Sequence, residues 1–356
     1  MKELKANSSS GRNVSIDFAK GIGMILVVYA HLVFFEPVLT IIYSFHMPLF
    51  FIISGILFNE KKYSSFSVLI KHKAKGLLLP FLVFVCVSFC LSFIMSLVTN
   101  GLSSELLIDY FLAFLKLLFA NNSKPFSIIH NQPLWFLPCL FLVECIYYFL
   151  CKIKNKIVFW GAVATAYIVG WLLSNTAVRM FLPWNLCTAL MTVSFYALGH
   201  CLFKRFFFNQ SSEYFSKRIT YIIISIMSFA ICIPISLLNG KISLGHNVVN
   251  NGILLFFTGV LGSVSLLSLS VFIKKSPPLI TYIGRNSFNI MGIHMLIVAL
   301  LHFLLQKFFS IPNSTFEKNA LLAVSFFLII LLISLLFVFL INKIKLVFQR
   351  NKKLIA

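Results

Sequence analysis

The feature that most narrows what this chain can become is a run of about twenty apolar residues, repeated ten times with only short polar gaps between. The runs lie at about 18–35, 42–59, 76–99, 133–151, 157–174, 182–203, 219–238, 251–273, 287–307 and 319–342. A helix of that length crosses the hydrocarbon core of a bilayer, where each backbone group must bond within its own element. The expected fold is therefore all-α, a polytopic membrane protein of about ten transmembrane helices whose first partner is the lipid bilayer. Composition agrees. Hydrophobic residues make up 60% of the 356 and charged ones 11%, against roughly 25% charged in soluble domains.

The basic residues give the orientation. A formal net charge of +21 would suggest nucleic acid in a soluble chain. Here Lys and Arg gather in short clusters between apolar runs, as in cytoplasmic loops, and no nucleic-acid partner is expected. With the N-terminus inside, 24 of the 30 Lys and Arg fall on the inner side and six on the outer. The alternation holds to the last loop, so both termini are expected in the cytoplasm. Residues 106–119 carry Asp109 and Lys116 and are too short to span; they read as an amphipathic helix within an outer stretch, 100–132. No linker or second soluble domain interrupts the chain. A single membrane domain over 1–356 is expected, with a polar N-terminal tail (1–15) and a basic C-terminal tail (343–356). The first apolar run carries Asp17 and Lys20 at its head, not a small-residue cleavage site, so no cleaved leader is expected. The eight cysteines lie in or beside apolar runs with no CxxC or metal spacing. They read as small apolar residues, and no metal is expected.

Ionisable groups inside spans are expensive and by default mark function. The first span reads SIDFAKGIGMILVVYAH, Ser15 to His31. His31 lies eleven positions after Lys20, so both share one helix face about 16 Å apart along the axis. Asp17, three residues before Lys20, can pair with it; the bland alternative is an interfacial anchor pair. Gly21 and Gly23 permit close approach of a helix or ligand. In the second span, Pro48 frees a carbonyl that needs a polar partner or a cavity, with His46 and Ser54 on either side. Glu144 lies mid-span after Trp135 and Pro138. It must be paired, protonated or facing a cavity, with His31 and Lys20 as candidate partners or else a structural interhelix bond. At the ninth span Arg285 marks the inner end, Asn286 or Ser287 can cap the helix, and His294 lies two turns in. His200 and His302 read as core or interface histidines, His72 as loop surface, and His130 and His246 as outer-loop residues.

A deep imidazole on one stripe with a cation suits acyl transfer. It can deprotonate a hydroxyl or carry the acyl group itself, while a cation holds a phosphate or an oxyanion. The same groups suit a proton-coupled transporter, and spacing alone does not separate the two.

Six motifs in order resemble acyltransferase family 3 over residues 14–300. They are SIDFAKGIGMILVVYAHLVF, SFHMPLFFIISGILF, KHKAKGLLLPFLVF, PLWFLPCLFLVE, LPWNLCTALMTVSFYALGHCLF and IGRNSFNIMGIHML. The similarity is greatest to the branch of fucose 4-O-acetylase-like enzymes and acetylases of bacterial surface polysaccharides. The family's basic residue, ten residues, then histidine falls on Lys20 and His31. The family more commonly has Arg at the first position, and Lys keeps the charge without the planar fork. The FFxxSG motif falls on Phe50, Phe51, Ser54 and Gly55, the basic cluster on Lys73 and Lys75, the tryptophan on Trp135 and the acidic position on Glu144. Many relatives carry an Asp after the LP of the sixth span, where this chain has Leu186 and Cys187. The extracytoplasmic hydrolase-like domain that some relatives add is not expected here.

The resemblance implies a transfer of acetyl from cytoplasmic acetyl-CoA to a sugar hydroxyl of a lipid-linked or cell-surface polysaccharide, in the bacterial cytoplasmic membrane. His31, Lys20, Asp17 and Glu144 would form the catalytic set. Lys73, Lys75, Arg285, Ser54 and Trp135 would bind the donor. A transporter or flippase for a lipid-linked glycan is the alternative.

Overall fold

The computed structural model describes residues 13–33, 35–117, 119, 131–208, 218–273, 277–312 and 314–355. Outside them lie His130, Glu3, Glu213 and several basic residues counted for orientation: Lys2, Lys5, Arg12, Lys124, Lys217, Lys274 and Lys275. Among the described residues there is no β-strand, and ten helical stretches are long and apolar enough to cross a membrane. The expected class and the number of spans are as observed.

The first hairpin sets the frame. Helix α1 (Val14–Leu32) starts at Asn13, whose Oδ1 accepts from the N–H groups of Ser15 (2.9 Å) and Ile16 (3.4 Å). Asp17 in its first turn lies at the positive end of the helix dipole. Helix α2 (Glu36–Leu57) runs back against α1, with Pro37 in its first turn, where the missing N–H does no harm. It runs on through Pro48.

The third span is longer than the apolar run alone suggests. Helix α3 (Phe66–Lys73), capped by Ser65, continues through a wide π turn at Ala74–Leu78 into α4 (Leu79–Asn100). Helix α5 (Ser104–Leu117) is the short helix expected after it. Its Tyr110 hydroxyl lies 2.7 Å from Ser92 and 2.7 Å from Ser96, which holds it back against α4. Then follow α6 (Phe136–Leu150), α7 (Lys156–Ser174) and α8 (Leu186–Leu198), the last running into a π segment at Gly199–Phe208. Helices α9 (Arg218–Asn239) and α10 (Gly252–Phe272) complete the next pair.

Helix α11 (Pro278–Arg285) is an element that the apolar runs do not announce, because eight residues are too few to span. It packs along α1. Gly21 and Gly284 are what allow this: a β-carbon on Gly21 would strike the carbonyl of Ile280, and one on Gly284 the carbonyl of Asp17. Helices α12 (Ser287–Phe309), α13 (Ser314–Lys318) and α14 (Ala320–Ile355) end the chain. Asn286 does not cap α12 with its side chain; it donates back to the Tyr282 carbonyl (2.9 Å) and accepts from Asn342 (2.9 Å).

Burial separates inner from outer helices. The spans Glu36–Leu57 and Gln132–Leu150 are 72% buried, whereas Phe66–Asn100 and Ile219–Asn239 are 22% buried and present Ile, Leu, Val and Phe outward. Helix α2 sits at the centre, against α1, α8 and α10.

Candidate active site

One face of α1 and one face of α2 enclose a cavity of about 200 Å³. Lys20, Met24, Val27 and His31 line it from α1, at spacings of four, three and four residues. Tyr43, His46, Met47, Phe50 and Ser54 line it from α2. The stripe expected on the first span is therefore a cavity wall. The two helices run in opposite directions, so Ser54 lies towards the Lys20 end and Tyr43 towards the His31 end. The Tyr43 hydroxyl donates to the Ala30 carbonyl (3.4 Å) and ties the two helices at that level. Lys20 is the only charged side chain among the described residues that line the cavity.

The rest of the wall comes from four other places. Gln132, Pro133 and Trp135 stand in the 3-10 turn that leads into α6, within the fourth motif, and Phe136, Leu137 and Leu140 follow in the helix itself. Ser243, Leu244, Gly245 and His246 belong to the outer turn between α9 and α10. Ser287, Phe288 and Met291 come from α12, and Leu77 from the π turn before α4. Trp135 and the 243–246 turn lie at one end of the cavity, and Lys20 and Ser54 at the other, towards the basic loops. Burial pushes the His246 imidazole below its usual range, so it is neutral at neutral pH.

His31 has no hydrogen-bond partner among the described residues, and its ring lies 5.7 Å from that of His294. The Nδ1–H of His294 donates to the Ile290 carbonyl (2.9 Å), and that of His46 to the Ile42 carbonyl (2.7 Å). A carbonyl only accepts, so when neutral both rings carry their proton on Nδ1 and a lone pair on Nε2. The Nε2 of His294 is buried and bonds to no described residue.

The two acids of the expected catalytic set lie outside the cavity wall, each in an ion pair. Asp17, buried, accepts from Arg285 Nε at 3.1 Å. This contact exists because Gly284 brings α11 against α1. Glu144, buried, accepts from Lys73 Nζ at 2.6 Å and from the Tyr196 hydroxyl at 3.2 Å; its Oε2 is buried and bonds to no described residue. The candidate partners of Glu144 were His31 and Lys20, and the observed one is Lys73. Glu144 lies nine residues beyond Trp135 on the same helical stretch, roughly 13 Å further along its axis. That puts it level with the basic segment that leads into α4.

Of the nine residues singled out by sequence, the cavity thus gathers Lys20, His31, Ser54 and Trp135. Asp17, Glu144, Lys73 and Arg285 form two ion pairs beside it, and Lys75 is exposed on the π turn. Tyr43, Gln132, Ser243 and His246 line the cavity and were not singled out. The one available signal for His246 was its place in a turn-forming string, SLGHN, with Gly and Asn around it.

A family profile described as an acyltransferase domain, acyltransferase family 3, matches residues 13–343. Comparison with curated proteins and with solved structures gave no match to either.

Proposed function

The chain belongs to acyltransferase family 3, and on that premise we propose that it moves an acetyl group from cytoplasmic acetyl-CoA to a sugar hydroxyl of a lipid-linked or cell-surface polysaccharide, in the bacterial cytoplasmic membrane. The observation that carries this reading is the cavity that joins Lys20, at the basic end, to His31, at the outer end. Its lining is mostly apolar, which suits an extended pantetheine arm, and its single described cation, at the basic end, suits the phosphate-bearing end of that arm.

In this mechanism the phosphates of CoA stay at the inner surface, because they cannot enter hydrocarbon. Arg285, held at Nε by Asp17 and half exposed, and exposed Lys75 meet them. Lys73, held by Glu144, fixes the π turn that presents Lys75. The arm lies along α1 past Ser54, with Lys20 guiding its inner part, so that the thioester reaches the level of His31, about 16 Å further along the helix. Near Trp135, the His31 imidazole takes the proton of the sugar hydroxyl. The oxygen attacks the thioester carbon, the C–S bond breaks, and the CoA thiolate leaves and is protonated. His31 acting first as the acyl carrier gives the same products.

Replacing Lys75 and Arg285 together with Gln is expected to raise the KM for acetyl-CoA and weaken its dependence on salt, with a smaller effect on kcat. Such contacts are the same in ground and transition states. Unchanged donor KM and salt dependence in correctly inserted protein would remove both residues from the donor site. The transporter reading predicts glycan movement across vesicles without consumption of acetyl-CoA, and that result would replace this one.

A further inference from the structure

The chemistry above leaves unused the part of the cavity wall formed by residues 243–246 of the outer turn 243–248. This turn is built to hold its shape. Ser243 N–H donates to the Val248 carbonyl and Val248 N–H to the Ser243 carbonyl, both at 2.9 Å, which closes it into a ring. The head of α8 then clasps it. Asn185 Nδ2 donates to the Gly245 carbonyl (2.8 Å), Thr188 Oγ1 to the Leu244 carbonyl (2.7 Å), and Thr188 N–H to Asn247 Oδ1 (3.2 Å). Asn185, Thr188 and Asn247 are 0% exposed. The clasp uses left-handed backbone at Trp184 (φ 58°), Asn185 (φ 53°) and Asn247 (φ 52°), a conformation that Trp rarely adopts and that persists where surrounding contacts over-determine it. On its other side Gly245 lies so close to the Trp135 indole that any β-carbon would collide with it.

What this rigid turn presents to the cavity is polar. Ser243 and His246 both line it, with Ser243 Oγ and His246 Nδ1 2.8 Å apart. A turn that merely closed an apolar cavity would gain by presenting apolar side chains there. Exposed Gln132 lines the same end. The two ends of the cavity thus differ in kind: a cation at the basic end, and uncharged hydrogen-bonding groups at the outer end. Uncharged donors and acceptors at fixed positions match the vicinal hydroxyls of a neutral sugar ring.

We propose that the 243–248 turn is the acceptor-recognition element, in which Ser243 and His246 hydrogen-bond hydroxyls of a neutral sugar residue and aim its neighbouring hydroxyl at His31. The assignment rests on the acyl-transfer reading above and adds that the acceptor sugar is uncharged and which residues select it. The experiment uses full-length protein in nanodiscs, acetyl-CoA, and as acceptor the lipid-linked and surface glycan extracted from cells lacking this protein. Ser243→Ala and His246→Gln are each expected to raise the acceptor KM about three- to tenfold, the loss expected for one hydrogen bond, while donor KM stays within about twofold. Ser243→Thr, which keeps the hydroxyl, should hold acceptor KM within about twofold of wild type. A purely structural turn would instead make Ser243→Ala and His246→Gln lower kcat and disturb both KM values together. That pattern, or an unchanged acceptor KM, with the wild type transferring acetyl normally, overturns the assignment and leaves the acyl-transfer reading standing. No transfer to the glycan by the wild type overturns the acyl-transfer reading and the assignment with it.

Discussion

At the scale of single residues, the cavity and the ion pairs beside it ask different things of their charges. Lys20 lines the cavity alone among described charged groups, so its charge should matter more than its shape. Lys20→Arg is expected to retain most acetyl transfer and Lys20→Ala to lose it. Normal rates in Lys20→Ala would make Lys20 an interfacial anchor only. Lys73 presents the opposite case, because its ammonium neutralises a carboxylate that is 3% exposed. Removing one partner of such a pair leaves an uncompensated buried charge, at a cost of about 3–5 kcal/mol. Lys73→Gln should therefore lower the melting temperature in detergent markedly, whereas Lys75→Gln, on an exposed lysine, should leave it nearly unchanged. Equal melting temperatures for the two variants would contradict the buried pair.

At the scale of elements, the tight seam between α1 and α11 is what brings Arg285 to Asp17. Gly284→Val must push α11 away and break that contact, at a cost of about 1–3 kcal/mol by overpacking. Gly161, in α7, has open space where a β-carbon would go, and Gly161→Ala should be neutral or slightly stabilising from helix propensity. Thermal denaturation of both variants checks this; a Gly284→Val protein as stable as wild type would mean the seam can relax. The same elements show what a sequence reader can and cannot see. Span number and the Lys20–His31 stripe were legible, because hydropathy and the 3.6-residue period are local properties of one helix. The partner of Glu144 was not, because neighbouring helices in a bundle are chosen by packing that no single span records. Helix α11 was hidden by its length. Ser243 and His246 were hidden because their turn derives its shape from Asn185 and Thr188, more than fifty residues away in sequence.

At the scale of the whole molecule, the account makes the protein a two-sided device. The helices with the least buried spans, α4 and α9, face lipid, and the most buried, α2 and α6, enclose the cavity between a basic surface and an outer turn. Donor and acceptor would then approach His31 from opposite sides of the membrane. The most direct measurement is acetyl transfer by protein reconstituted in sealed vesicles. Radiolabelled acetyl-CoA is supplied on the side that exposes the C-terminal tail, and glycan from cells lacking the protein on the other. The account predicts labelled acetyl ester on the glycan, falling below about a tenth of wild type in His31→Ala, as loss of a general base requires. Undiminished transfer by a folded His31→Ala protein, or no label on the glycan with wild type, would contradict it.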